Sequence, residues 1–255
     1  YFLSVNRGKR SMTLDITKPE GQALARRIAQ GSDIVMENFK AGALARYGLD
    51  AVSLRALKPS LIYCSVTGFG QDGPRRDQAA YDFMIQAMCG LMSLTGERDG
   101  APQKVGVPIV DLMTGMYAAV AVLAALARRA ETGQGETIDL AMLDVGAGLL
   151  ANQAMNWLVG ARVPHRAGNR HPNIQPQDMF PAADGQIVLA VGNDGQFAKL
   201  CEAVGRPELA ADPRFVKNAD RVRHEAELTP ILSAIFQTFT RAELTARRDA
   251  AGVPC

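Results

Sequence analysis

Cysteine is scarce and unpatterned: the four, Cys64, Cys89, Cys201 and Cys255, are scattered and form no CxxC pair. That argues against a disulfide framework and a structural zinc site, and favours a reducing cytoplasm. Histidine is scarcer still, with three in all and no HExxH spacing, so no metal is expected. Neither GxGxxG nor GxxxxGKS occurs, which leaves a standard dinucleotide site and a P-loop without support. An excess of one charge is also missing, because 28 Lys+Arg against 26 Asp+Glu leave a net charge of +2. That balance does not point to nucleic acid as a partner. The longest uncharged runs, 112–127 and 145–161, fall short of the roughly 20 apolar residues that span a bilayer. The second also carries Asn152, Gln153 and Asn156. No charged-then-apolar secretory leader opens the sequence, so neither export nor a membrane is expected.

What is present suits a globular protein. The 255 residues are 47% apolar and 21% charged, which excludes a disordered chain and allows a sizeable core. At roughly 150 residues per domain, the length predicts between one and two domains. The chain opens at Tyr1 instead of Met and ends at Cys255 straight after a Gly-Val-Pro run, so an internal fragment of a longer protein is expected.

The first half alternates short apolar runs with amphipathic ones. Strands are predicted over Ser11–Ile16, Asp33–Glu37 and Ser60–Thr67, and a helix runs from Pro19 through Gln30. Such alternation predicts parallel βαβ units. A helical stretch follows over Tyr81–Thr95, interrupted by Gly90, and then a loop over Gly96–Gly106. Met84, Met88 and Met92 repeat at helical spacing and read as a core stripe. The clearest helix comes next, with Leu112, Met116, Ala119, Leu123 and Leu126 on one apolar face and Arg128 and Arg129 in its last turn before Gly133. A strand over Glu136–Leu140 leads to a helix over Asp144–Val159. A hairpin around Asp184-Gly185 joins strands Asp178–Ala182 and Gln186–Val191. Helices follow near Gly195–Val204, Val222–Thr238 and Arg241–Ala250. The prediction is an α/β fold: a Rossmann-like parallel sheet with helices over residues 1–160, a linker over 161–176, and a smaller α+β domain over 177–255.

Asp111 is the most informative position. It closes the run Val107-Pro108-Ile109-Val110 just ahead of the long helix, where an N-cap is expected. The helix dipole and free N–H groups there would hold its carboxylate ionised. An ionised, partly dehydrated carboxylate is also a usable nucleophile toward an activated acyl group; cap and nucleophile are compatible roles. Asn38-Phe39-Lys40, with Gly42 and Arg46, follows a strand end, where open α/β sheets bind ligands. A cation and an aromatic there suit a phosphate- or adenine-bearing ligand, although a helix start with solvated cations has the same composition. The run Asn6–Ser11 carries Arg7, Lys9 and Arg10, which suit a polyphosphate or a plain basic turn. His165 and His171 flank Asn169 and Arg170 in the linker, and His224 reads as surface.

In combination these segments resemble the class III coenzyme A transferases, the CaiB/BaiF family. The resemblance rests on Asn6-Arg-Gly-Lys-Arg-Ser11 with Leu14-Asp15, and on Glu37-Asn-Phe-Lys-Ala-Gly42 with Arg46. It continues through Ser65-Val-Thr-Gly-Phe-Gly-Gln-Asp-Gly-Pro74, Ala80-Tyr-Asp82, Leu94-Thr-Gly96 and Asp111-Leu-Met-Thr-Gly115. Within the family the chain looks closest to members that take succinyl-CoA and a dicarboxylate.

The resemblance implies that Asp111 attacks the acyl-CoA thioester to give a mixed anhydride, then carries CoA as an aspartyl thioester. It implies that Leu14 and Thr17 lie along the CoA, that Asn38, Phe39 and Lys40 hold its adenine end, and that Arg46 faces its phosphates. Tyr81 would contact CoA near the reacting centre and Asp82 would sit close to Asp111. Asn169 and His171, in the run Gly168–Asn173, would shape the acceptor pocket. Ala79 departs from members with Lys at that position, and the Gly-rich lid of oxalate-type members is not visible. No permanently bound cofactor is implied, since coenzyme A enters as a thioester substrate. An interlocked homodimer is implied. The family also holds α-methylacyl-CoA racemases, which have His where this chain has Tyr81. A racemase or a non-catalytic CoA-binding module are therefore the alternatives to a transferase.

Overall fold

The structure is a computed structural model and describes residues 2–253. Cys255 lies outside the described residues, and Cys64, Cys89 and Cys201 are free thiols. The chain divides into two compact units. One runs to Leu94 and resumes over Pro102–Pro164; the other joins Thr95–Ala101 to the chain from His165 onward.

The first unit holds α1 (Phe2–Val5), α2 (Pro19–Gly31), β1 (Ile34–Glu37), a 3₁₀ turn (Ala45–Tyr47), α3 (Ala51–Leu57) and β2 (Ile62–Thr67). It continues with α4 (Asp82–Met88), α5 (Leu91–Leu94), α6 (Ile109–Thr132), β3 (Thr137–Ala141), α7 (Met142–Gly148) and α8 (Ala151–Leu158). The strands form a parallel sheet in the order β1-β2-β3, with Ile34 opposite Ile62 and Cys64 opposite Ile138. β2 is central, and Leu61, Ile62 and Cys64 are fully buried. One face packs on α6 through Ala118, Val122 and Ala125, and the other cluster gathers Leu44, Leu49, Leu54 and Tyr63. That helix–sheet–helix layering is what βαβ units produce.

Residues 11–16, predicted as a strand, are irregular. No neighbouring strand among the described residues pairs with them, and extended backbone without a ladder leaves its polar groups to water. The Asp15 carboxylate instead accepts from the Thr17 N–H at 2.9 Å and its hydroxyl at 2.6 Å, making a turn into α2. Pro19 then opens α2 as predicted.

The long helix departs from its predicted face. Leu112, Met116, Ala119 and Leu123 point outward, and only Leu126 of that set packs toward the sheet. The buried positions are Val110, Thr114, Ala118, Val122 and Ala125. Alanine is what a helix lying close on a sheet requires, so the smaller residues, not the larger, mark the inner face. Likewise Met84 and Met88 are exposed, while Ile85 and Gln86 bury α4. At 24 residues, with a most apolar window of mean hydropathy 2.0, α6 is long and apolar enough to cross a membrane by length and composition. That exceeds what its uncharged run alone predicts. The predicted helix over Asp144–Val159 is split at Leu149–Leu150, where Ala151 has φ 45°.

The second unit pairs β4 (Gln177–Ala182) antiparallel with β5 (Gly185–Ala190) as a hairpin. Around it pack α9 (Asp194–Ala203), α10 (Glu208–Ala211), α11 (Asn218–Arg223), α12 (Glu225–Phe236) and α13 (Arg241–Ala251). The predicted helix over Val222–Thr238 breaks at His224, and α10 has no counterpart in the prediction. Phe180 and Phe236 meet edge to face at 5.2 Å in a core that includes Phe197, Phe215 and Leu232. The loop Thr95–Ala101 is tied to the linker by Gly168 N–H to the Gly96 carbonyl (3.1 Å) and Arg166 Nη2 to the Gly100 carbonyl (2.8 Å).

Candidate functional site

The carboxyl ends of β1 and β2 open onto a cleft of about 740 Å³, within the usual range for small-molecule sites. Its walls come from the end of β1 (Met36 to Ala41), the end of β2 (Val66 to Gly68), the loop carrying Arg76 and Gln78 to Tyr81, and the start of α6 (Asp111, Thr114, Gly115). Ligands of open α/β sheets bind at this end of the strands.

Each wall has a local cause. At the end of β1 the Glu37 carboxylate accepts from the Ser65 hydroxyl of β2 and from the Phe39 N–H (2.7 Å). That turns the chain so that Asn38, Phe39 and Lys40 line the cleft. At the end of β2 the Thr67 hydroxyl accepts from the Gly70 N–H (2.9 Å), and Asp139 of β3 accepts from the Gln71 N–H (2.9 Å). Gly68 is needed for a close approach: a Cβ there would fall 2.2 Å from the Ala80 Cβ. The segment Ala79–Tyr81 therefore lies directly on the sheet end and hands the chain to α4.

Asp111 is not the cap of α6. The helix starts at Ile109 after Pro108, which makes Asp111 its third residue. The first-turn donors are taken from outside: Asp82 Oδ1 accepts from the Val110 N–H (2.8 Å) and the Asp111 N–H (3.3 Å). The reason lies in Pro108, whose restricted φ starts the helix three residues earlier than the Asp suggests. The expectation that the helix dipole and free N–H groups favour the ionised form is corrected as well. Partial burial pushes the Asp111 carboxyl up, and the neighbouring Asp82 charge pushes it further. The side chain nonetheless reaches the cleft and its residue is exposed. A carboxylate more basic than usual is, in its ionised form, a better nucleophile than an ordinary one.

Asp111, Asn38, Phe39, Lys40 and Tyr81 therefore line one cleft. Asp82 stands behind it, bonded to the backbone under Asp111. Leu14 and Thr17 sit on the irregular segment before α2 and are not among the lining residues. Arg46 is in the 3₁₀ turn with its guanidinium 4.6 Å over the Tyr47 ring, also outside the lining set. Asn169 and His171 belong to the second unit, where His171 Nδ1 accepts from the Asn173 N–H at 3.1 Å. Sequence reasoning missed Arg76, Gln78 and Thr114 as cleft residues, and the Glu37–Ser65–Gln71 hydrogen bonds that hold the Glu37 side chain at the end of β1. Thr114 carried a usable signal, because it follows Asp111 by three positions on the same helix face. Among the described residues no group of three or more His, Cys, Asp or Glu side chains could hold a metal ion.

The Asp82 charge can be tested apart from its capping bond. Asp82→Asn keeps an oxygen for the Val110 N–H but removes the negative charge. The ionisation of Asp111, followed by carboxyl NMR titration, then moves to lower pH. An unmoved titration would show that Asp82 does not act on Asp111.

The profile of CoA-transferase family III matches residues 1–255. The succinate–glutarate CoA-transferase of Agrobacterium fabrum is 49% identical over 254 residues, which is 100% of this chain and 64% of that protein. The succinyl-CoA:glutarate CoA-transferase of Homo sapiens is 37% identical over 254 residues, 100% of this chain and 58% of that protein. A CaiB/BaiF family crystal structure from Brucella suis superposes with a TM-score of 0.79 at 50% identity, covering 97% of this chain and 65% of that one. The chain spans 54% to 66% of the length of the curated relatives compared.

Proposed function

The chain belongs to CoA-transferase family III, and from that premise we propose that its cleft takes an acyl-CoA thioester and passes the CoA to a small carboxylic acid. The observation that carries this reading is Asp111: a carboxyl of raised proton affinity, at the start of a helix, on a cleft also lined by Asn38, Phe39, Lys40 and Tyr81.

The chemistry runs through Asp111. Its oxygen attacks the thioester carbonyl carbon, the carbon–sulfur bond breaks, and CoA leaves as thiolate, giving a mixed anhydride. The thiolate attacks the aspartyl carbonyl and releases the donor acid as carboxylate, leaving an aspartyl-CoA thioester. The acceptor carboxylate attacks that thioester in turn and expels thiolate again. Attack of the thiolate on the acceptor's own carbonyl yields the new acyl-CoA and frees Asp111. A carboxylate is a weak nucleophile, but a thiolate is a good leaving group, and a covalent route keeps the acyl group activated while water is excluded. Phe39 and Lys40 suit the adenine end of CoA, and Tyr81 the region near the thioester. Arg46, Leu14 and Thr17 remain proposed CoA contacts on the resemblance alone, as Asn169 and His171 do for the acceptor. The relatives' names favour succinyl-CoA as donor and a dicarboxylate as acceptor.

The test is incubation with succinyl-CoA followed by borohydride or hydroxylamine trapping and peptide mass spectrometry. A modified peptide containing Asp111 is expected. Deuterium wash-in at the α-carbon of a 2-methylacyl-CoA with no adduct would replace this reading with racemisation. Tight CoA binding with neither would leave a binding module.

We also propose that the outward face of α6 seats a second copy of the chain, in a cytoplasmic interlocked homodimer. Met116, Val120 and Leu123 are 60%, 62% and 65% exposed, an apolar stripe that water disfavours. Sedimentation is expected to give a dimer, and Leu123→Glu to shift it toward monomer. A monomer for the unaltered full-length protein would sink this part of the reading.

A further inference from the structure

Behind the cleft, one polar side chain is wholly buried and hydrogen-bonded through both polar atoms of its amide. Gln86 lies on the inner side of α4 and is 0% exposed. Its Nε2 donates to Asp82 Oδ2 at 2.5 Å, and its Oε1 accepts the Val105 N–H at 2.9 Å. The other Asp82 oxygen takes the N–H groups of Val110 and Asp111. One amide thereby joins α4, the loop that enters α6 and, through Asp82, the first turn of α6.

We propose that Gln86 is a positioning residue for the reaction at Asp111: its amide clasps the loop at Val105 and orients the Asp82 carboxylate, which holds the first turn of α6 in place. The inference rests on the reading of Asp111 as nucleophile. The choice of residue follows from chemistry. A primary amide donates at one atom and accepts at the other, and both needs are present here. With Oδ2 held by Gln86, the Asp82 carboxylate cannot rotate, so Oδ1 stays aimed at the helix N–H groups. An apolar replacement strands the half-buried Val105 N–H and frees Asp82 to turn. Asp111 then moves with its backbone.

Asp82 on α4 is the charge that acts on Asp111, and the other charged and titratable groups on the same cleft are Tyr81, Arg76, Glu37 and Lys40. Substitution at Gln86 replaces none of these groups; it changes only how Asp82 is held, so a pH profile that differs between the variants reports the clasp.

The experiment compares Gln86→Leu and Gln86→Glu in the full-length protein, with succinyl-CoA as donor and glutarate as acceptor. In Gln86→Leu, kcat is expected to fall by roughly 10- to 100-fold, the scale of a nucleophile displaced by about 1 Å, with KM for the donor little changed. In Gln86→Glu, the new carboxylate can accept from Val105 but repels Asp82. Once protonated it donates as the amide does. The ratio of its kcat to that of the unaltered enzyme therefore rises as pH falls, and the leucine variant shows no such recovery. A glutamine that only supports the fold would lower thermal stability in both variants and leave the two pH profiles the same shape; that result overturns the proposal. So does an unchanged kcat in Gln86→Leu. Amide exchange at Val110 and Asp111, measured without substrate, separates the two readings. If the unaltered protein transfers no CoA, the reading of Asp111 fails, while faster exchange in the leucine variant still supports the clasp and unchanged exchange refutes it.

Discussion

Asp111→Ala is expected to reduce CoA transfer by roughly 10⁴-fold or more, the scale on which a covalent nucleophile is lost. The trapped peptide should disappear with it. Affinity for the acyl-CoA should stay within a few-fold, because the substitution removes a reacting group and leaves Asn38, Phe39, Lys40 and Tyr81 in the cleft. Turnover retained in this variant would refute the mechanism. Removing the Asp111 charge has a second, opposite consequence for stability. The folded state raises the Asp111 pKa above its unfolded value, so the native protein binds that proton more tightly. The contribution is favourable below the unfolded pKa and is lost as pH rises through the folded one. Above the folded pKa the ionised carboxylate therefore works against the fold, and there Asp111→Asn should raise the melting temperature while abolishing transfer. A site that trades stability for reactivity behaves in this way; a lowered melting temperature in the Asn variant would contradict the direction of the shift.

Arg221→Leu is expected to cost several kcal/mol in the second unit, at about 1–3 kcal/mol for each buried carbonyl left without its donor. The guanidinium is fully buried. It donates to the carbonyls of Gln175 (2.7 Å), Phe215 (2.8 Å) and Val216 (3.2 Å), and to Asp194 Oδ1 (2.9 Å). It also lies 4.6 Å over the Phe197 ring. Those bonds tie the end of the linker, the loop before α11 and the first turn of α9 to one side chain. Leucine fills much of the space but leaves buried carbonyls without donors. Arg221→Lys should not restore stability, since an ammonium on a flexible stem cannot reproduce the planar fork. Denaturant unfolding monitored in the second unit measures the loss. A midpoint unchanged in Arg221→Leu would show that solvent replaces these bonds at no cost.

Arg221 also shows why parts of the fold were hidden in the sequence. It sits in a run of charges, Asp220-Arg-Val-Arg-His224, that reads as a solvated surface helix. Nothing local distinguishes it from Arg223, whose partner is a surface Asp220 at 2.8 Å. Its burial depends on carbonyls up to 46 residues away in the chain. The outer and inner faces of α6 were misread for a related reason. Periodicity identifies a helix and its two faces, but with alanine, leucine and valine all round it does not say which face meets the sheet.

The elements with strong local causes were legible from the chain alone. Pro19 starts α2, alternating apolar runs make β1, β2 and β3, Asp184-Gly185 closes the hairpin, and Thr240 with Glu243 caps α13. The nearness of Asn38, Phe39 and Lys40 to a strand end was legible too, because a strand carries its next residues to the sheet's edge by geometry alone. Tertiary structure alone decided that Asp82 and not Asp111 caps the long helix, that Gln86 is the buried amide behind both, and that the nucleophile candidate binds its proton more tightly instead of less. Those outcomes depend on which groups share a dehydrated volume, and hydrogen bonds and charges act through space over a few ångströms, whatever their separation along the chain.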